Sequence, residues 1–153
     1  MHQTGRKHVT ALDQEPIDSP TGWVAKHIHR YVETNGAEGH IWHGVPSLLL
    51  TTLGRRSGKP RRSALYYATD GDRYVVVASK GGADEHPDWY RNLLQTPAVR
   101  VQVLADIFPA MAQTATPDEH ERLWPQLVEL FPLYASYQRK TSRPIPLVLL
   151  ERR

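Results

Sequence analysis

The apolar positions of the chain change period several times, and each change marks an element. Trp23, Val24, His27, Ile28, Tyr31 and Val32 recur at helical spacing, with Lys26, Arg30 and Glu33 on the other faces. One apolar stripe of that period predicts a helix lying on a core. Asn35-Gly36 supplies the left-handed residues that end such a helix. Ala37 to Pro46 reads as a Gly- and His-rich connector. Ser47 to Leu53 is short and apolar and carries Thr51 and Thr52, which predicts a strand. Two glycines and a proline make Gly54 to Pro60 a loop, and Arg62 to Thr69 is a second strand. Asp70-Gly71 is a hairpin turn. Arg73 to Ser79 is a third strand with three consecutive valines, broken by Lys80-Gly81-Gly82.

Pro87 to Leu94 reads as a short helix, and Val99 to Leu104 alternates as a strand. Ile107 to Thr114 pairs with it through an Ala105-Asp106 turn. Thr116-Pro117-Asp118-Glu119 has the form of a helix start, with Thr as N-cap, Pro in the first turn and Glu closing a capping box. That helix extends to about Phe131 with a bend at Pro125. Pro146 to Glu151 is a last apolar strand. Strands joined mostly by hairpins, with few helices, predict a mainly β protein with flanking helices (α+β), an antiparallel barrel rather than a doubly wound sheet. Residues 1–20 mix Gly, Pro and charges without period, so a flexible tail is expected there and one domain over 21–153.

Composition excludes several chemistries. The 153 residues contain no cysteine, which removes disulfide scaffolds, cysteine-ligated zinc, iron–sulfur clusters and thiol catalysis. No apolar stretch approaches the ~20 residues of a membrane span, and Met1 to Thr10 has no apolar h-region, so an intracellular soluble protein is expected. His27-x-His29 and His40-x-x-His43 have short spacings but no third ligand, so no metal is expected. His27 reads as a packing residue, and His86 as part of a helix start.

The net charge of +3 is mild, but it is concentrated. Five of the nine residues of Gly54-Arg55-Arg56-Ser57-Gly58-Lys59-Pro60-Arg61-Arg62 are cationic, and no acid occurs between Glu38 and Asp70. Glycines that expose N–H groups, a serine hydroxyl and arginine forks together suit an anion. A Walker loop is excluded, because Pro60 stands where Ser or Thr must bind magnesium and a strand follows. A nucleic-acid contact, a solvated hairpin tip and a clamp for a cofactor phosphate remain open from this loop alone.

Further segments favour the clamp. Leu48-Leu49-Leu50-Thr51-Thr52, Gly54-Arg55-Arg56-Ser57-Gly58, Arg61, Leu65-Tyr66-Tyr67, Asp70-Gly71, Val76-Val77-Ala78-Ser79, Gly81-Gly82 and His86-Pro87-Asp88-Trp89-Tyr90-Arg91-Asn92-Leu93 follow one another in order. Together they resemble the deazaflavin (coenzyme F420)-dependent nitroreductase and quinone-reductase family of actinobacteria, from about Trp23 to the C-terminus. The resemblance implies a split β-barrel of the flavin-reductase type. It implies that reduced F420 gives a hydride to a quinone, an activated enone or a nitroaromatic. An FMN-binding relative, or an F420-binding protein without turnover, are the alternatives.

Carried over by position, Arg55, Arg56, Ser57, Gly58 and Arg61 would hold the phosphodiester and carboxylates of the F420 tail. Val77, Ala78, Ser79 and Lys80 would line its ring, and Trp89 and Asn92 would close the cofactor site. The resemblance places Tyr66, Tyr134 and Tyr137 on the substrate face, with Phe131 where relatives often have another tyrosine. Tyr137, Tyr66 and Ser79 are the candidate donors to the acceptor oxygen. The expected partner is a small-molecule acceptor and not nucleic acid, and the protein is expected as a monomer or homodimer. It is expected in the cytoplasm. The N-terminal helix either packs on the barrel or touches the inner face of the membrane.

Overall fold

A computed structural model describes residues 11–20 and 22–153 of the chain. In chain order the elements are β1 (Ile17–Asp18), α1 (Gly22–Glu33), β2 (Ile41–Trp42), β3 (Val45–Leu53), β4 (Pro60–Tyr66), β5 (Ala68–Asp70) and β6 (Arg73–Val77). They continue with α2 (Asp88–Gln95), β7 (Ala98–Val103), β8 (Asp106–Thr114), α3 (Pro117–Leu130), α4 (Leu133–Lys140) and β9 (Leu147–Arg152). The strand order is β1-β4-β3-β7-β8-β9-β6-β5, with β2 as a further antiparallel partner of β3.

Closure follows from the connectivity. Only Tyr67 separates β4 from β5, yet β5 stands at the far end of the strand order. One residue spans at most about 3.6 Å, so the sheet must curl until its ends meet. The Tyr67 N–H still donates to Pro46 O at 3.2 Å beside β3, while Ala68 already pairs with Val75 of β6. One bent strand thus links the two ends of the strand order, and the expected split barrel is formed.

Alternate residues then face two different cores. Leu48, Leu50, Val76, Ala78, Val101, Phe108, Val148 and Leu150 pack inside the barrel with Trp89, Tyr90 and Leu93 of α2. Leu49 faces outward onto Ile28 and Tyr31 of α1. Val75, Val77, Leu147 and Leu149 pack under Leu123 and Leu127 of α3 and Tyr134 of α4. Strands covered on both faces read as unbroken apolar runs, which accounts for the three valines. Each fully buried side chain of this size contributes about 1.5–3 kcal/mol.

Several boundaries differ from expectation. The strand predicted from Arg62 to Thr69 is two strands, because Tyr67 is the corner. The turn between β7 and β8 is Leu104-Ala105, one residue early, with Leu104 at φ +56°. The capping box at Thr116 and Glu119 is present, and that helix ends at Leu130 before a separate α4. The connector contains a hairpin, β2 to β3. Residues 11–20, expected to be loose, lie against the sheet: β1 pairs in parallel with β4, and Asp18 holds Arg62 at 2.6 Å. Residues 1–10 of the expected tail lie outside the described residues.

Candidate active site

The basic loop is a tight turn between β3 and β4, closed by the Leu53–Pro60 pair. The Gly54 N–H donates to Lys59 O and the Gly58 N–H to Gly54 O, both at 2.8 Å. Gly58 sits at φ +70°, where a side chain would be strained. A Cβ on Gly54 would lie 2.7 Å from Ser57 Oγ, so a side chain there would displace the serine hydroxyl. Gly54, Arg55, Arg56, Ser57 and Arg61 line a hollow of about 280 Å³ with Asp88 and Asn92 of α2.

Asn92 organises this hollow from behind. It is 3% exposed. Its Oδ1 accepts from the Arg55 N–H at 3.1 Å and from Arg55 Nη1 at 3.0 Å, and its Nδ2 donates to Thr52 Oγ1 at 3.2 Å. Arg55 Nη2 also reaches the exposed Asp88 carboxylate at 3.3 Å, a contact that water screens. Arg62 turns away to Asp18. Among the described residues Arg56, Lys59 and Arg61 have no ion-pair partner. The fold therefore withdraws Arg62 from the five cations and leaves Arg55, Arg56 and Arg61 lining an anion-sized space.

The end of β6 is the second part. Val77 and Ala78 are buried, while Ser79 is half-buried and Lys80 exposed, with its ammonium 4.0 Å from Glu85. Arg143, which sequence reasoning missed, braces this turn. Its Nε donates to Ala83 O at 3.1 Å, and its Nη1 donates to Ala78 O at 3.3 Å and lies 2.9 Å from His86 Nδ1. Burial, then the charges of Arg143 and Arg91, hold His86 below the ordinary imidazole value, so its Nδ1 is assigned as acceptor. Arg143 Nη2 is buried without a protein partner. No local signal marks this arginine, because its partners are distant in sequence. Trp89 is 8% exposed and packs in the barrel core against Tyr90. It anchors α2, and the cofactor-closing position expected of it is largely a core position.

An aromatic wall is the third part. The Tyr66 ring lies 4.8 Å from Phe131, which is 4.9 Å from Tyr134 and 6.2 Å from Tyr137. Burial first, then neighbouring tyrosines, pushes the phenols of Tyr134 and Tyr66 upward. Both are therefore neutral donors. A Cβ on Gly82 would lie 2.9 Å from Lys140 Cδ and 3.2 Å from Tyr137 O, so the turn after Ser79 abuts α4. That contact sets the segment following Ser79 against the helix that carries Tyr137, and Tyr137 in turn neighbours Tyr66. Trp42 extends the wall, 5.5 Å from Tyr66, and was not anticipated. His27 stacks on Trp42 at 4.0 Å, and His29 pairs with Glu33 instead, so these two histidines diverge.

The family model of the F420H(2)-dependent quinone reductases matches residues 23–152. The chain belongs to that family. An F420H(2)-dependent quinone reductase of Mycobacterium tuberculosis is 45% identical over 128 residues, covering 80% of this chain and 85% of that protein. A solved structure described as an F420-H2 dependent reductase superposes with a TM-score of 0.65 at 41% identity, covering 69% of this chain and 94% of that one. Another, described as a domain-swapped dimer, gives 0.66 at 39% identity, covering 87% and 100%.

The residues present fit F420, the cofactor of this family. Guanidinium groups and a hydroxyl around a glycine-shaped hollow suit phosphate and carboxylate oxygens. The unpartnered Arg143 nitrogen adds a buried donor at the turn where the ring is expected.

Proposed function

We propose that the protein reduces a quinone-type acceptor with F420, holding the cofactor tail with Arg55, Arg56, Ser57, Gly58 and Arg61. Val77, Ala78, Ser79 and Lys80 flank the ring, and Tyr66, Phe131 and Tyr137 face the acceptor, with Tyr134 buried behind them in the core. When bound, reduced F420 supplies the hydride. The chain orients the two reactants, excludes water with the aromatic wall and offers neutral phenols to the oxygen that gains negative charge. Asn92 acts through Arg55, and Trp89 through the placement of α2. The observation that carries this reading is the pairing of a cationic hollow with an aromatic wall on the α2 and α4 sides of one barrel. Enones and nitroaromatics suit the same flat wall.

Titration with F420 and FMN tests the cofactor: tight FMN binding without F420 binding would overturn the assignment. Mixing protein, reduced F420 and menadione should return the absorbance of oxidised F420, and no acceleration across quinones, enones and nitro compounds would leave a binding protein. Changing Arg55 and Arg61 together to Ala should weaken F420 binding at least tenfold with the fold intact, and unchanged affinity would refute the clamp.

A homodimer is the proposed assembly, supported by the domain-swapped relative. Light scattering should give two chains of 17.4 kDa, and a single-chain mass would refute it. Among the described residues no helix is long and apolar enough to cross a membrane. α1 spends Ile28 and Tyr31 on the sheet and leaves Trp23, 60% exposed, outside. The burial of Ile28 and Tyr31 supports a covering helix over a lipid anchor. Pelleting with anionic vesicles should leave the protein in the supernatant.

A further inference from the structure

One polar contact on the aromatic wall involves a residue that the family resemblance does not supply. His43 Nδ1 lies 3.0 Å from the Tyr66 hydroxyl. The placement is built by a two-residue hairpin. Trp42 pairs with Val45, so His43-Gly44 is the whole turn, with φ of +53° and +79°. Positive φ at both central residues is the mirror-image turn that suits β-hairpins, and it usually selects Asn-Gly or Asp-Gly. A histidine there bears a conformational cost that only the surrounding contacts offset. Those contacts are its stacking on Trp42 at 5.0 Å and the hydrogen bond to Tyr66. The imidazole is otherwise exposed, so water reaches it.

We propose that His43 is the proton source behind Tyr66 in reduction of the acceptor. The inference rests on the reading that Tyr66 faces the acceptor. With Nδ1 protonated, His43 donates to the Tyr66 oxygen, which turns the Tyr66 hydrogen away from the imidazole and toward the acceptor oxygen. As the acceptor receives a hydride, the Tyr66 O–H bond breaks and its proton passes to the acceptor oxygen. The His43 Nδ1–H bond breaks as the Tyr66 hydroxyl reforms, and solvent returns a proton to the exposed ring. The two electrons arrive with the hydride that reduced F420 supplies, so the acceptor gains one hydride and one proton. Tyr66 alone makes a poor shuttle, because burial and Tyr137 push its phenol upward and disfavour a lasting phenolate.

The groups around His43 suit this role. From α1, His27 faces it, stacked on the same indole, and burial followed by the His43 charge lowers the His27 value. His27 is therefore favoured in its neutral form. From β4 comes Tyr66, and from α4 comes Tyr137 behind it. His40, on the same connector, is occupied by the Tyr67 hydroxyl at 2.8 Å. Among the described residues no carboxylate lies within ion-pair distance of His43.

The test variant is His43→Asn. Asn-Gly is the preferred pair for this turn, so the fold is retained, while an amide cannot relay a proton. In cofactor-free protein with labelled tyrosine Cζ, the Tyr66 carbon signal (identified with Tyr66→Phe) should show a pH-dependent step separate from ionisation of the phenol itself. The step should vanish in His43→Asn. With saturating reduced F420, kcat for menadione should fall about tenfold or more, with KM little changed. Added imidazole should restore part of the rate in His43→Ala. Absence of the step in the wild-type protein, or full kcat in His43→Asn beside a slowed Tyr66→Phe, would overturn the relay alone. Full kcat and unchanged KM in Tyr66→Phe would overturn the acceptor-face reading and the relay with it.

Discussion

Replacing Asn92 by alanine should weaken both the fold and the cofactor site, and the structure sets the size of each effect. The side chain is buried and makes three hydrogen bonds: two accepted from Arg55 and one donated to Thr52. A net contribution of about 1 kcal/mol per bond, more where the partner is charged, sums to about 2–4 kcal/mol. Part of that loss is the buried Thr52 hydroxyl left without its donor. For a chain of this size the midpoint of thermal unfolding should drop by about 4–15 °C. F420 affinity should fall about tenfold, equivalent to about 1.4 kcal/mol, because the Arg55 guanidinium is no longer held at the hollow. Thermal unfolding by circular dichroism and fluorescence titration with F420 measure the two effects. Asn92→Asp separates them. It still accepts from Arg55 and so retains more stability, but it sets a negative charge beside the anion and should bind F420 no better than the alanine variant. A stability change within about 0.5 kcal/mol for Asn92→Ala, with wild-type F420 affinity, would refute the positioning role.

Other perturbations follow from the same contacts. Tyr31→Phe removes a hydroxyl that donates to Ser47 O at 3.0 Å and accepts from the Leu104 N–H at 2.9 Å, and should cost about 1–3 kcal/mol in chemical denaturation. Burial pushes the Tyr31 phenol up to about 12, so its stabilising effect is complete below pH ~10 and is lost as pH rises toward 12. The alkaline unfolding limb should therefore shrink in Tyr31→Phe. Hydrogen bonds from Arg122 and then Arg73 hold Asp70 down, to about 2. Its contribution is present above pH ~4 and lost as pH falls toward 2, so Asp70→Asn should flatten that acid limb, and an unchanged limb would refute the ion-pair account. Arg143→Lys keeps the charge but cannot span Ala78 O and Ala83 O together. F420 binding should weaken about three- to tenfold, and wild-type binding would show that the brace is unnecessary.

Much of the fold was legible because its signals are local. The stripe of α1, the Thr116 capping box and the hairpin after Asp70, whose turn is Gly71-Asp72 and so one residue later than expected, each depend on residues within one or two turns of the chain. The cationic loop was legible for the same reason, since charge density and glycines show within nine residues. The hairpin at His43-Gly44 escaped, because histidine is an unusual occupant of a positive-φ turn and nothing nearby flags it. α4 escaped because its buried residue, Tyr134, faces a core formed by strands elsewhere.

Local periodicity, turn chemistry and composition alone determined that this chain forms a hairpin-rich β protein with one anion loop and no cysteine chemistry. Its motifs together pointed to the deazaflavin reductases. Strand pairing and barrel closure decided the rest, because they join residues that the chain keeps far apart. Pairing draws Arg62 out of the cationic set through Asp18 and brings His43 to Tyr66, and the packed barrel sets Asn92 behind Arg55 and braces Ala78 with Arg143. A charge or hydroxyl acquires its role from the partner within about 3 Å, and only the folded chain selects that partner.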